Sequence, residues 1–148
     1  MAPQSMAATK DLERAMERNL QAMRVFATGD NRPTKEFYSH NDDVTLANPF
    51  GGISRGWNEV SVALDYAVAR FRDGDVTVEN MAVYESGDIA TTLDLEHWRT
   101  RFGGRQEMSE FSLRVSTTFR RETDEWRLVQ RHADPLVTHS AEGPLRTR

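Results

Sequence analysis

Apolar residues recur at helical spacing in the first half of the chain. Between Ala8 and Thr28 they recur at steps of three and four residues and therefore share one helical face: Leu12, Met16, Leu20, Met23 and Phe26. Gly29 and Asp30 end this pattern. Comparable patterns predict a short second helix from Pro33 to Ser39 and a third helix from Trp57 to Arg72.

The period of the apolar positions changes to two after Asp75, which is typical of strands. Four strands are predicted, at residues 76–85, 89–102, 107–121 and 125–133, with short turns between them. Such short connections imply antiparallel neighbours. Helices followed by a curved antiparallel sheet predict an α+β fold, a half-open barrel capped by three N-terminal helices.

Length and composition narrow the class of protein. The 148 residues suit one domain, which we assign to residues 8–137, and the patternless tails at 1–7 and 138–148 are predicted to be disordered. A net charge of −4 argues against a nucleic-acid partner. The absence of cysteine excludes disulfides and thiolate chemistry. Without a membrane-spanning run or a secretory signal, a soluble cytoplasmic protein is expected.

Alternation within the strands predicts which side chains face the inside of the barrel. We expect the faces that carry the large apolar residues to turn inward. The predicted inner set is Leu93, Leu95 and His97 in the second long strand, Phe111, Leu113 and Val115 in the third, and Trp126 and His132 in the last. A shift of one residue would reverse each assignment.

Three polar residues are the candidate catalytic groups. The stretch from Val44 to Ala47 is predicted to be a further strand, which runs into a Pro/Gly turn and leaves Asn48 at the pocket wall, where its amide could polarise a ligand oxygen. An Asn before Pro also simply fits a turn. His97 and His132 carry imidazoles suited to moving a proton at neutral pH, although an inward histidine is often a hydrogen-bonded core residue. No metal is expected, because this set lacks a carboxylate on the same face.

Aromatic residues on the predicted helices are candidate ligand contacts. Tyr38, Trp57 and Tyr66 could stack on a flat ligand or supply a hydroxyl, and the alternative is that they fill the core. Leu93, Leu95, Phe111 and Leu113 would shape the pocket, together with Val115 and Trp126.

The opposite face of the sheet has the composition of an interface. We expect Asp94, Glu96 and Trp98 to point outward beside Arg114, as a tryptophan among opposite charges does at an interface with a polar rim. This set predicts a homodimer. The alternative is a solvated sheet face with cross-strand ion pairs.

The order of several segments carries a family resemblance. These segments are Gly29-Asp30 after the first helix, the strand and turn from Asp43 to Gly51, Gly56 before the third helix, and the late pattern from Leu113 to Val129. The set resembles the ketosteroid-isomerase and SnoaL-like branch of the nuclear transport factor 2-like superfamily. The resemblance implies a cone-shaped α+β barrel with a deep apolar pocket, commonly a dimer through the outer sheet face.

The chain departs from the ketosteroid isomerases of this superfamily at their catalytic positions. The resemblance places their general-base Asp directly before the Pro of the turn, where this chain has Asn48, which is not a base at neutral pH. Their oxyanion-binding Tyr falls near Ala22, and their partner acid falls near Val115. The chain is therefore not expected to be a true ketosteroid isomerase.

The sequence leaves three functions open. The favoured one is a cofactor-independent enzyme that moves a proton on a small apolar, oxygen-bearing molecule, by isomerisation, dehydration or aldol-type chemistry. In that hypothesis His97 or His132 shuttles the proton and Asn48 polarises the oxygen. The alternatives are a non-catalytic ligand-binding protein and an assembly domain that uses its outer sheet face.

Overall fold

Three α-helices and six strands form the part of the chain that the computed structural model describes, residues 8–137. The elements are α1 (Lys10–Phe26), α2 (Arg32–Phe37), β1 (Thr45–Ala47), β2 (Ser54–Arg55), α3 (Trp57–Val68), β3 (Asp75–Ser86), β4 (Ile89–Thr100), β5 (Ser109–Glu122) and β6 (Glu125–Pro135). None of the described helices combines the length and apolar character needed to span a membrane. The predicted tails lie outside the described residues.

Helix α1 lies within the predicted segment, residues 8–28, and is two residues shorter at each end. The side chain of Thr9 caps it by accepting a hydrogen bond from the Leu12 amide at 3.3 Å, and acidic residues occupy the first turn. Gly29 follows its C-terminus at φ 104°, where a Cβ would lie 2.9 Å from the carbonyl oxygen of Phe71. The glycine is thus required by both backbone conformation and a close approach.

The sheet is curved and unclosed, with strand order β2-β1-β6-β5-β4-β3. Its four long strands form the predicted antiparallel meander. Strand β1 instead pairs with β6 in parallel, with Thr45 opposite Gln130, which the sequence did not predict. A parallel neighbour requires a long connection rather than a tight turn, and most of the chain separates these two strands. The fold is the predicted α+β class.

A β-bulge in β6 reverses the alternation along that strand. Thr118 of β5 lies opposite Gln130 while Phe119 lies opposite Leu128, so Val129 is an extra residue. Leu128 and Val129 are consequently both buried. Beyond the bulge Arg131 is largely buried, and His132 is exposed on the outer face. The prediction that His132 points inward is therefore wrong.

The orientation of β4 is also opposite to the prediction. Asp94, Glu96 and Trp98 are 8%, 1% and 5% exposed, whereas Leu93 is 44% exposed on the other side. Leu93, Leu95 and His97 therefore face outward, and the acidic set predicted for a dimer surface is interior. The buried carboxylates are hydrogen-bonded, and one is ion-paired, so their burial is compatible with a stable core.

Candidate functional site

A cavity of about 430 Å³ lies between the concave face of the sheet and the helices. Side chains from all three helices contribute to its wall, among them Phe26, Thr34, Leu64 and Ala67. Its volume and predominantly apolar lining are those of a small-molecule site.

Aromatic rings form one wall of this cavity. The ring centroids of Phe71 and Trp98 are 5.3 Å apart, and those of Trp98 and Phe111 are 6.0 Å apart with ring planes inclined by only 5°. Phe26 approaches Trp98 edge-on at 6.3 Å. Such walls bind flat apolar groups by stacking.

The polar part of the cavity is built around a buried ion pair. Arg131 donates two hydrogen bonds of 2.7 Å to the two oxygens of Glu96, and Trp98 Nε1 donates a third to Glu96 at 2.9 Å. Burial alone would lower the pKa of Arg131, but the Glu96 carboxylate outweighs burial and raises it. The guanidinium that lines the cavity is therefore held in one position and remains charged.

Tyr38 adds a neutral phenol to the same cavity. Its side chain is almost fully buried, and its hydroxyl donates a hydrogen bond to the backbone carbonyl of Thr45. Burial raises the pKa of Tyr38, so the phenol stays protonated. Tyr38 thus lines the cavity, and its contact with a ligand stays a prediction.

A second cavity of about 240 Å³ lies between α1 and strands β3–β5, and it contains Asp94. The Asp94 carboxylate accepts hydrogen bonds from Asn80 Nδ2 at 2.7 Å and Thr92 Oγ1 at 3.1 Å. Burial nevertheless raises its pKa above the ordinary value. Asn19 and Met23 line both cavities.

The two candidate histidines do not reach either cavity. His97 lies on the outer face, 2.7 Å from Ser112 Oγ through Nδ1 and 2.6 Å from Glu79 Oε2 through Nε2. His132 lies opposite Ser116 and is exposed. The predicted inward positions of both residues are wrong, because the leucines of β4 face outward and the bulge reverses β6.

The other predicted contacts divide into two groups. Asn48, Phe111 and Leu113 line the main cavity as predicted, and Asn48 Oδ1 also accepts a hydrogen bond of 3.2 Å from the Phe50 amide within the turn. Six predicted contacts do not line it: Trp57, Tyr66, Leu93, Leu95, Val115 and Trp126. Trp57 instead stacks on His40 at 3.9 Å, and Tyr66 is 54% exposed beneath the guanidinium of Arg70.

Sequence reasoning missed Arg131, Glu96 and Asp94 as interior groups. The clue in the sequence was the pair of acidic residues beside Trp98, which the outward assignment explained as an interface. Within residues 8–137 no group of three histidines or carboxylates lies close enough together to hold a metal ion.

Comparisons with known proteins agree with this architecture. The SnoaL-like domain family matches residues 15–138. Among curated proteins no significant match to the chain is found.

Solved structures of low sequence identity share the fold. A nuclear transport factor 2-like superfamily protein from Salmonella enterica is 17% identical in sequence and has a TM-score of 0.76. The match covers 90% of this chain and 95% of the Salmonella protein. A proposed dehydratase from Streptomyces avermitilis is 20% identical over 87% of this chain and 96% of the dehydratase chain, with a TM-score of 0.74. A ketosteroid isomerase-like protein from Erwinia carotovora is 16% identical over 86% of this chain and 95% of the Erwinia chain, with a TM-score of 0.71. This chain therefore belongs to the SnoaL-like domain family, and it shares its fold with the nuclear transport factor 2-like protein from Salmonella enterica.

Proposed function

We propose that this protein binds a small, neutral, largely apolar molecule with an oxygen function in the main cavity. The observation that carries the proposal is the cavity of about 430 Å³, with its stacked aromatic wall and its single buried ion pair. Arg131 offers hydrogen-bonding capacity toward an oxygen, but Glu96 already neutralises its charge. Beside Arg131 a ligand carboxylate would lose its hydration without gaining an uncompensated cation, and Arg105, which also lines the cavity, is exposed and solvated.

Two compounds of the same skeleton test this charge preference. We expect the neutral ketone 2-acetylnaphthalene to bind at least about tenfold more tightly than 2-naphthoate, a difference of roughly 1.4 kcal/mol. Tryptophan fluorescence titration reports binding because Trp98 lines the cavity. Equal or tighter binding of the carboxylate would contradict a site for neutral ligands.

A cavity-filling variant locates the binding. Ala67 lies on the cavity side of α3, so Ala67→Phe should abolish binding by occupying the space. Val62 is 68% exposed on the same helix, and Val62→Phe is the matched control that should bind normally. If Ala67→Phe folds, as circular dichroism would show, and still binds the ketone, the ligand is not in this cavity.

Proton-transfer catalysis is the second candidate, and Asp94 is the observation that favours it. A carboxyl group whose pKa is raised by burial is suited to exchange protons closer to neutral pH. Asp94 faces the cavity that shares Asn19 and Met23 with the main one, and Met23 has a flexible side chain. In this proposal Asp94 takes the role that the sequence assigned to the histidines, and the reaction is an isomerisation, dehydration or aldol-type step.

Exchange of the protons next to a carbonyl tests the catalytic role without a known substrate. In D₂O the protein should accelerate deuteration of the acetyl methyl group of 2-acetylnaphthalene, which proton NMR measures. Asp94→Asn should reduce this exchange rate by about a hundredfold. His97→Gln is the control and should leave the rate unchanged. If the ketone binds but its protons exchange only at the rate seen in buffer, the catalytic role is wrong and the binding function remains.

We also propose that a second copy of the chain covers the outer sheet face. Tyr84, Leu93 and partly buried Leu95 lie on this face, with Leu93 near its centre. Around them the Arg114–Asp134 ion pair supplies both signs of charge, so the face is self-complementary under a two-fold axis. This surface replaces the acidic set predicted from the sequence.

Sedimentation tests the homodimer. The wild-type protein should sediment as a dimer, and Leu93→Lys should convert it to a folded monomer because the substitution places a charge within the apolar contact. Val62→Lys is the control on an exposed helix position. A monomeric wild type would exclude the homodimer, and a larger closed assembly would favour the assembly function instead.

A further inference from the structure

The tripeptide Phe-Gly-Gly occurs twice, and the two copies face each other at the main cavity. Phe50-Gly51-Gly52 lies in the turn after β1, and Phe102-Gly103-Gly104 forms the 3₁₀ turn after β4. The two phenylalanine rings stack with centroids 6.1 Å apart and planes 4° apart. Both rings line the cavity, and Phe50 is 39% exposed to solvent. The pair therefore covers part of the cavity mouth.

The glycines of both copies serve backbone conformation and not packing. All four have positive φ, at 100° and 73° in the first copy and 64° and 77° in the second. A Cβ on any of them would meet nothing within 4 Å, whereas a Cβ on Gly74 would lie 2.4 Å from the carbonyl oxygen of Arg99. Each phenylalanine is thus followed by two glycines without steric contacts at the Cβ position, as hinge segments require. The Gly103 amide donates a hydrogen bond of 3.0 Å to the Arg70 carbonyl, and this bond must break for the second segment to swing.

The wall behind this pair is anchored more firmly. Phe71 contacts both rings, at 6.4 Å from Phe50 and 5.6 Å from Phe102, and continues the stack to Trp98. Trp98 is fixed in turn by its hydrogen bond to Glu96. A continuous series of aromatic rings therefore leads from two hinged rings at the mouth to a fixed ring inside.

The spacing of the outer pair is too small for a ligand to pass between the rings. Carbon atoms in contact pack at about 3.5 Å, so a flat ring inserted between two others would hold them roughly 7 Å apart. The ring centroids of Phe50 and Phe102 are 6.1 Å apart, and the perpendicular spacing of the two planes cannot exceed this distance, so the rings must move apart to admit a flat ligand.

We propose that Phe50 and Phe102 form an aromatic gate that controls access to the cavity and selects planar ligands. A planar ligand stacks on the rings as the two Phe-Gly-Gly segments swing apart, and it then moves along the aromatic wall. A saturated ligand of the same skeleton lacks flat faces and requires a wider opening. The gate rests on the proposed function of the cavity as a small-molecule site.

Stopped-flow binding kinetics test the gate. The probes are 2-acetylnaphthalene and its saturated counterpart 2-acetyldecalin, followed by tryptophan fluorescence. The Phe50→Ala/Phe102→Ala variant should raise the association rate constant of 2-acetylnaphthalene by about tenfold, because entry no longer requires the two rings to separate. In the wild type the planar ketone should associate faster than the saturated one, and the variant should lose this preference. Ile53→Ala, at a position 78% exposed in the same turn, is the control.

The outcomes separate the gate from the proposed function. If only the dissociation rate rises and Kd weakens, the two rings are ordinary ligand contacts and the gate is wrong. Unchanged rates, with Ala67→Phe still abolishing binding, would overturn the gate and retain the binding function. Absence of binding in both the wild type and the gate variant would overturn both. Binding that appears only in the gate variant would support a closed gate.

Discussion

The two faces of β4 differ in a way that composition does not foretell. Its interior face carries Asp94, Glu96 and Trp98, and its outer face carries Leu93, Leu95 and His97. The more polar face is buried because the interior supplies partners, above all Arg131 for Glu96. The apolar face is exposed because it lies on the side of the sheet away from the helices. Polarity alone is therefore a poor guide to the orientation of a strand that borders an internal cavity.

The ion pair on the interior face gives the largest expected effect. Arg131→Met should lower the free energy of unfolding by about 3–5 kcal/mol, because it leaves the Glu96 carboxylate buried without a cation. Urea denaturation at pH 7 measures this loss. The Glu96→Gln/Arg131→Met double variant should lose less than the sum of the two single changes. A single-variant loss below about 1 kcal/mol would mean that the pair behaves as a solvated one.

Two leucines on opposite faces offer a matched comparison of lesser effect. Leu113 is 5% exposed on the inner face of β5, and Leu93 is 44% exposed on the outer face of β4. Leu113→Ala should cost about 2–3 kcal/mol, near the low end for buried leucine because a cavity already adjoins it. Leu93→Ala should cost about 0.5 kcal/mol or less.

Denaturation of both leucine variants is best compared at protein concentrations low enough to keep the chain monomeric. At higher concentration the loss of a dimer contact would add to the effect of Leu93→Ala. Equal losses in the monomer would contradict the assignment of the two faces.

The pH dependence of stability sharpens the comparison further. Because burial raises the pKa of Asp94 above its ordinary value of 3.8, the native state keeps this proton while the unfolded state releases it. The contribution of Asp94 to stability therefore falls as pH rises above about 4. Asp94→Asn removes this dependence, so its stability relative to wild type should increase between pH 4 and pH 7. A relative stability that decreases over this range would show that the carboxylate is favoured by its surroundings.

His97 should show the smallest effect. It bridges Glu79 and Ser112 on the outer face, with 41% of its side chain exposed. His97→Gln should change the free energy of unfolding by no more than about 0.5 kcal/mol and should leave the affinity for 2-acetylnaphthalene unchanged. A large loss of affinity would place this residue back in the binding mechanism.

Local sequence patterns predicted the elements of this fold well. The apolar periodicity of α1, the glycine that follows it and the period-two runs of the meander are set by neighbouring residues, and the structure confirms them. The parallel pairing of β1 with β6, the bulge at Val129 and the orientation of β4 depend on residues far apart in sequence. Those long-range features decide which side chains meet in the cavity, and so the site was harder to predict than the fold.

The bulge at Val129 also determines how the cavity would respond to a change in the length of β6. Everything from Gln130 onward in β6 faces the side it does because the bulge absorbs one residue of the strand. Deletion of Val129 would restore regular alternation by placing Gln130 directly after Leu128, with Arg131 still facing the interior and His132 still facing solvent. A three-nucleotide deletion at the bulge would therefore keep the fixed cation at the cavity, whereas a strand of unchanged length without the bulge would replace it with an imidazole.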